Sequence, residues 1–202
     1  MTNEKASCGD NAVATLQANV TIPEGMGVEG FYKVVCRDAA GNLKWEDEFP
    51  NLVVAVGKQL LLDTLLRGSS YTVVGPFLGL TKVSLTPVAT DTMTTLVTTN
   101  AGEFINYTVG GNAVRGTASF AVSTSAGTTP SNVTTSAATS ITYTITGAGG
   151  TVYGCFLVTG TGAVSTQSST AGTLYSEGNF TTSKIVTAGD TVAVTYSTTA
   201  TS

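Results

Sequence analysis

Glu46 and Glu48 are the residues of this chain best spaced for chemistry. Two carboxyls two positions apart on a strand share a face and can reach the roughly 5–9 Å separation of the acids in a glycoside hydrolase. Such a pair works only when one acid is desolvated in a cleft. Nothing in the surrounding GNLKWEDEFPNLV (41–53) buries either residue, so a solvated or interfacial strand face is the expectation. His is absent, which removes Ser-His-Asp and Cys-His nucleophilic sites, the usual zinc sites and the commonest general base. GMGVEG (25–30) spells GxGxxG, but it follows Pro-Glu and precedes a strand. A dinucleotide site needs a strand, a glycine turn and then a helix N-terminus, so the match is spurious. Cys8, Cys36 and Cys155 are odd in number and far apart. They predict neither a disulfide framework nor a thiolate metal site, and Cys36 and Cys155 read as small buried hydrophobes. No catalytic residue, metal or cofactor is expected.

The elements around these residues are mostly strands. Residues 29–49 read as a β-hairpin: Phe31, Lys33, Val35 and Arg37 on one face, and Tyr32, Val34 and Cys36 on the other. Gly41 and Asn42 supply the turn. On the return strand Leu43, Trp45 and Phe49 face inward, while Lys44, Glu46 and Glu48 face outward, with Lys33 and Arg37 placed to pair across the hairpin. Pro50-Asn51 then reads as a break. Val56, Leu60, Leu61 and Leu65 have helical spacing, which predicts one helix over 55–67, stopped by Gly68. From Tyr71 onward strands are expected at 71–83, 92–99, 103–109, 113–123, 139–147, 151–160, 173–180 and 190–198, with Asp190 as a turn residue before the last. YGCFLV (153–158) is apolar on both faces and suits a central strand. Tyr71, Tyr107, Tyr143, Tyr153, Tyr175 and Tyr196, one per strand, suit core or subunit packing better than a carbohydrate platform.

Composition agrees with this reading. Only 11% of the 202 residues are charged, against about 25% in average domains. Gly, Thr, Ser and Val dominate; Thr and Val favour strands, and Gly and Ser favour turns. Charge crowds into residues 1–67, and only Glu177, Lys184 and Asp190 lie beyond residue 115. The net charge of −4 argues against nucleic acid, whose phosphates need clustered Lys and Arg. No apolar run is long enough to span a bilayer, and no basic run suggests a membrane surface. The N-terminal residues show no signal-peptide core, so synthesis in a cytosol is expected. The four Asn-x-Thr sequons, at Asn19, Asn106, Asn132 and Asn179, carry no weight in so Thr-rich a chain. Residues 1–28 are polar and read as an N-terminal arm, followed by one domain over 29–202. The fold expected is all-β, a jelly-roll-like antiparallel β-sandwich with one short α-helix.

The order of motifs adds a resemblance. A strand reading GNLKWEDEFPNLV, a helix VGKQLLLDTLL (56–66), a short strand GPFLGLT (75–81) and a C-terminal TLYSEGNF…VTAGDTVAVTYS (173–197) follow one another. This order resembles capsid cement (decoration) proteins and related β-rich virion structural proteins of short-tailed double-stranded DNA bacteriophages. The resemblance covers roughly residues 30–200 and carries no catalytic motif. It implies assembly as a homo-oligomer, a dimer or trimer, on the outside of a shell of major capsid protein. Under it, the outer face of Lys33, Arg37, Lys44, Glu46 and Glu48 meets a capsid protein or a neighbouring subunit. The polar arm and the Thr/Ser-rich loops of 123–138 and 160–172 leave open a tail or head-fibre role that binds a host-surface glycan.

Overall fold

A computed structural model describes residues 27–66, 74–121, 131–133 and 140–201. Eleven strands, all paired antiparallel, form a nearly closed sandwich: an all-β fold with one α-helix among the described residues. The strands are β1 (Gly27–Arg37), β2 (Leu43–Val53), β3 (Phe77–Thr81), β4 (Glu103–Phe104), β5 (Tyr107–Thr108), β6 (Gly116–Thr117), β7 (Ser131–Val133), β8 (Ile141–Ile145), β9 (Gly150–Thr159), β10 (Thr173–Val186) and β11 (Thr191–Thr201). The helix, α1, is Ala55–Leu66. Most of the expected arm lies outside the described residues, and β1 begins at Gly27, two residues before the expected boundary.

One sheet runs β2-β1-β11-β8-β5, with β7 on β11; the other runs β2-β10-β9-β3-β4, with β6 on β3. β2 belongs to both. Eight of its first nine residues pair with β1, and its last two, Leu52 and Val53, pair with β10. The expected break at Pro50-Asn51 is therefore wrong: the strand continues through Pro50, opposite Phe31, and changes sheets just beyond it. Proline lacks a ladder donor, which suits this place where one pairing gives way to another.

The inner faces alternate as β periodicity requires. Tyr32, Val34 and Cys36 of β1 meet Val192, Val194 and Tyr196 of β11 and the opposing sheet in one core. Two tyrosines pin the sheets together. The Tyr143 hydroxyl donates to the Leu78 carbonyl at 2.7 Å, and the Tyr32 hydroxyl lies 2.9 Å from Ser176 Oγ. Tyr107, Tyr175 and Tyr196 are buried in the core as well, Tyr153 is half-buried, and Tyr71 lies outside the described residues. β9 is central, between β3 and β10, and buried on both faces, as its apolar run predicts.

Two strand expectations fail. Residues 103–109 are not one strand. They split into β4 in one sheet and β5 in the other, and the chain turns the corner at Ile105–Asn106, where the Asn106 amide donates to the Gly149 carbonyl at 2.9 Å. Residues 92–99 form a helical turn, π-helical over Thr95–Thr99. Thr92 Oγ1 accepts from the Thr95 amide at 3.2 Å, as a capping residue does, and Met93, Leu96 and Val97 turn onto the outer face of the β9–β10 sheet. Among the described residues of the 113–123 segment, those up to 121, only Gly116–Thr117 is a strand.

Candidate functional site

The β1–β2 register places Lys33 opposite Glu48, Val35 opposite Glu46 and Phe31 opposite Pro50. Lys33, Glu46 and Glu48 therefore share the outer face, and with Asp47 they line a groove of about 310 Å³. The other two residues of the expected face are tied up within the domain. Lys44 is a bulge residue, because Cys36 pairs with Trp45 and Arg37 with Leu43, leaving Lys44 unopposed. Its Nζ reaches Asp190 Oδ2 at 2.5 Å, in the turn before β11. Arg37 donates to the Gly41 carbonyl at 3.2 Å and so closes its own turn. Among the described residues Lys33 forms no ion pair with Glu46 or Glu48, so the cross-hairpin pairs are not made. Such exposed pairs are worth only about 0–1 kcal/mol in any case.

Over residues 43–49 β2 forms its ladder with β1, and residues 180–185 of β10 lie along its other side through side-chain contacts. Asp47 accepts from Thr181 Oγ1 at 2.8 Å and from Lys184 Nζ at 3.0 Å, while the Lys184 ammonium lies 5.9 Å from the Trp45 ring centroid. Burial alone would raise the Asp47 carboxyl, but the Thr181 and Lys184 contacts outweigh it and hold the group below its ordinary range. Asp190 is held low in the same way: against the effect of burial, Lys44 and the Thr187 amide favour its charged form. Trp45 and Phe49 each meet Phe180 edge-on, at 5.6 and 5.0 Å between centroids, and fasten the hairpin to the core.

α1 starts at Ala55, and of its expected face Val56, Leu60 and Leu61 pack inward, whereas Leu65 does not. Gly57 and Leu60 are buried, and Leu61 packs on the core. Leu65, expected inside, is 76% exposed, and Leu62 and Leu66 are exposed beside it at 48% and 74%. Gly57 lets the first turns of α1 approach the main chain of β10, while Leu62, Leu65 and Leu66 lie toward the end of the helix. Arg67 and Gly68, the expected end of the helix, lie outside the described residues.

Two buried ionisable pairs escaped the sequence reading. Arg115 is fully buried, and its Nε and Nη2 donate to the two Glu103 oxygens at 2.8 and 2.7 Å. Arg115 also donates to the Ser169 carbonyl at 2.7 Å, and Glu103 accepts from the Ser168 amide at 2.8 Å. The pair thus pins the Thr/Ser-rich loop of 160–172 against β4. The second pair is Glu177 on β10 and Asp91 in the segment lying over that sheet. Burial, then the hydrogen bond to Asp91 and its charge, push the Glu177 carboxyl up to about 8. The only signal in the sequence was the rarity of charge beyond residue 102, where Glu103, Arg115, Glu177, Lys184 and Asp190 each have an ionisable partner.

Cys36 and Cys155 are buried free thiols, and burial raises both, so neither is an activated nucleophile. Glu46 and Glu48 lie on an open strand face rather than in a cleft. These surfaces present a strand face of mixed charge and a helix that exposes leucines. No protein-family model, curated protein or solved structure matches the chain.

Proposed function

We propose that this chain is a virion structural protein, a capsid cement (decoration) protein that binds the outside of a shell of major capsid protein. The observation that carries this reading is the exposed leucine face of α1, where Leu62, Leu65 and Leu66 stand out from a domain whose other leucine-rich stretches are packed. Clustered apolar exposure of this kind marks a contact surface. Lys33, Glu46 and Glu48 supply a second surface of mixed charge, and charge across an interface sets register and partner choice more than affinity. Repetition over a lattice makes weak contacts sufficient, because each copy or oligomer that engages several sites gains avidity without new chemistry. The partners are the major capsid protein and other copies of this chain, and the location is the capsid exterior.

The test is copy number per purified phage particle, by quantitative mass spectrometry against the major capsid protein. Hundreds of copies fit a lattice-covering protein. A few copies, or a few dozen, move it to a tail or vertex and favour a fibre that binds a host glycan. Absence from particles ends the virion reading.

A further inference from the structure

The outer face of the β1–β2 hairpin carries its charge in two rows of opposite sign. β1 contributes Lys33 and Arg37, and β2 contributes Glu46 and Glu48. The ladder sets Lys33 directly opposite Glu48 and, one step along, Phe31 opposite Pro50. Residues opposed across a ladder project from the same side of the sheet, so these side chains form one patch. All four are exposed, Phe31 at 43%. Lys33 makes no ion pair among the described residues, although Glu48 is its neighbour. Beside it runs the groove of about 310 Å³ lined by Lys33, Glu46, Asp47 and Glu48. Asp47 is matched by Lys184 at 3.0 Å, which leaves the two glutamates without a cation of their own.

We propose that this face binds a second copy of the chain about a two-fold axis that runs along the strands, between β1 and β2. The placement of charge carries the inference. Such an axis lays β1 of each copy over β2 of the other, level for level. Lys33 of each copy then lies over Glu48 of the other, with Glu46 one step along the same row, and Phe31 of each lies over Pro50 of the other. The face is complementary to itself: cations meet anions, and an exposed ring meets a proline. Had both strands carried one sign, the same operation would set like charges together. Two-fold contacts are the commonest between identical chains. Packed sheets keep their strands within about 30° of each other, so the match holds near the axis. The paired stretch is about 30 Å long and two strands wide, which puts the contact at the low end of interface sizes. Association is therefore weak and salt-dependent, and repetition over a lattice strengthens it. For its use on a particle the dimer rests on the function proposed above, which copy number tests separately.

The experiment is sedimentation equilibrium of the full chain at up to about 0.5 mM protein and about 20 mM salt. The expected result is a dimer that dissociates as salt is added. Lys33→Glu and Glu48→Lys, each alone, set like charges together twice in the contact and should weaken association by about tenfold or more. Mixing the two single variants in equal amounts should restore it, because both facing pairs are then opposite in sign. The chain carrying both substitutions should dimerise as well, for the same reason. A wild type that stays monomeric overturns the proposal. So does a dimer indifferent to the single substitutions, which uses another surface, or a mixture that remains monomeric.

Discussion

Gly57 of α1 packs on the main chain of Tyr175 in β10: a Cβ at residue 57 would lie 2.5 Å from the Tyr175 carbonyl oxygen. In an isolated helix Gly→Ala stabilises by about 1 kcal/mol. Here the opposing atoms are backbone and have nowhere to move. Gly57→Ala is therefore expected to destabilise the domain by about 1–3 kcal/mol, the usual cost of overpacking. Urea denaturation checks the sign; a stabilised variant would mean that α1 stands off from β10.

Removing one member of the Arg115–Glu103 pair strands a buried charge. Arg115→Ala and Glu103→Ala are each expected to destabilise by about 3–5 kcal/mol. The combined variant should lose clearly less than the sum, because neither charge is left unpaired. A double-mutant cycle from chemical denaturation measures the difference. Proteolysis within 160–172 should quicken in all three variants, since the pair holds that loop through Ser168 and Ser169.

Glu177 and the two low aspartates bend the stability curve in opposite directions. In the folded state Glu177 keeps its proton to about 8, whereas the unfolded chain releases it near 4.5. Between those values the folded state binds more protons, so stability falls as pH rises, and below 4.5 the contribution is fully present. Asp47 and Asp190, held below their ordinary 3.8, contribute stability above that value and lose it as pH falls through their folded values. Stability should therefore peak between these two windows, at about pH 4. Glu177→Gln should flatten the alkaline limb, and Asp190→Asn should flatten the acid limb while lowering stability at pH 6. Denaturation midpoints from pH 3 to pH 9 test both.

Surface variants separate attachment from folding. Glu46→Lys with Glu48→Lys, and Leu65→Glu with Leu66→Glu, change exposed side chains and should leave stability within about 0.5 kcal/mol. Under the proposed function each pair lowers occupancy on particles, measured by co-sedimentation with undecorated shells. Unchanged occupancy in both would remove these faces from the interface.

Period-2 alternation made β1, β2 and β11 legible, and the apolar run of β9 announced a strand buried on both faces. The start of α1 and its Val56/Leu60/Leu61 side were legible too, but not the exposure of Leu65 or the close approach of Gly57 to a strand distant in sequence. Residues 92–99 misled for a local reason. Threonine favours strands yet also caps helices, and only the Met93/Leu96/Val97 spacing distinguished the two. Asp91–Glu177 and Arg115–Glu103 were hidden because single charges in a neutral stretch look alike whether they end in water or in a buried pair. Lys44 was misplaced because a one-residue bulge shifts the alternation and nothing in the local sequence announces it.

The pairing of Gly27 with Thr201 means that the described chain enters and leaves the domain at one pole, where β2 also runs into α1. The opposite pole carries the Asp38–Asn42 and Thr187–Asp190 turns, with Ala39 beside Gly189. A payload fused after residue 201 would therefore crowd whatever the helix touches. One spliced into the Ala39–Ala40 tip, where the side chains are unburied, would point away from it. The two ends of the barrel are thus unequal handles: one suited to attachment, the other to display.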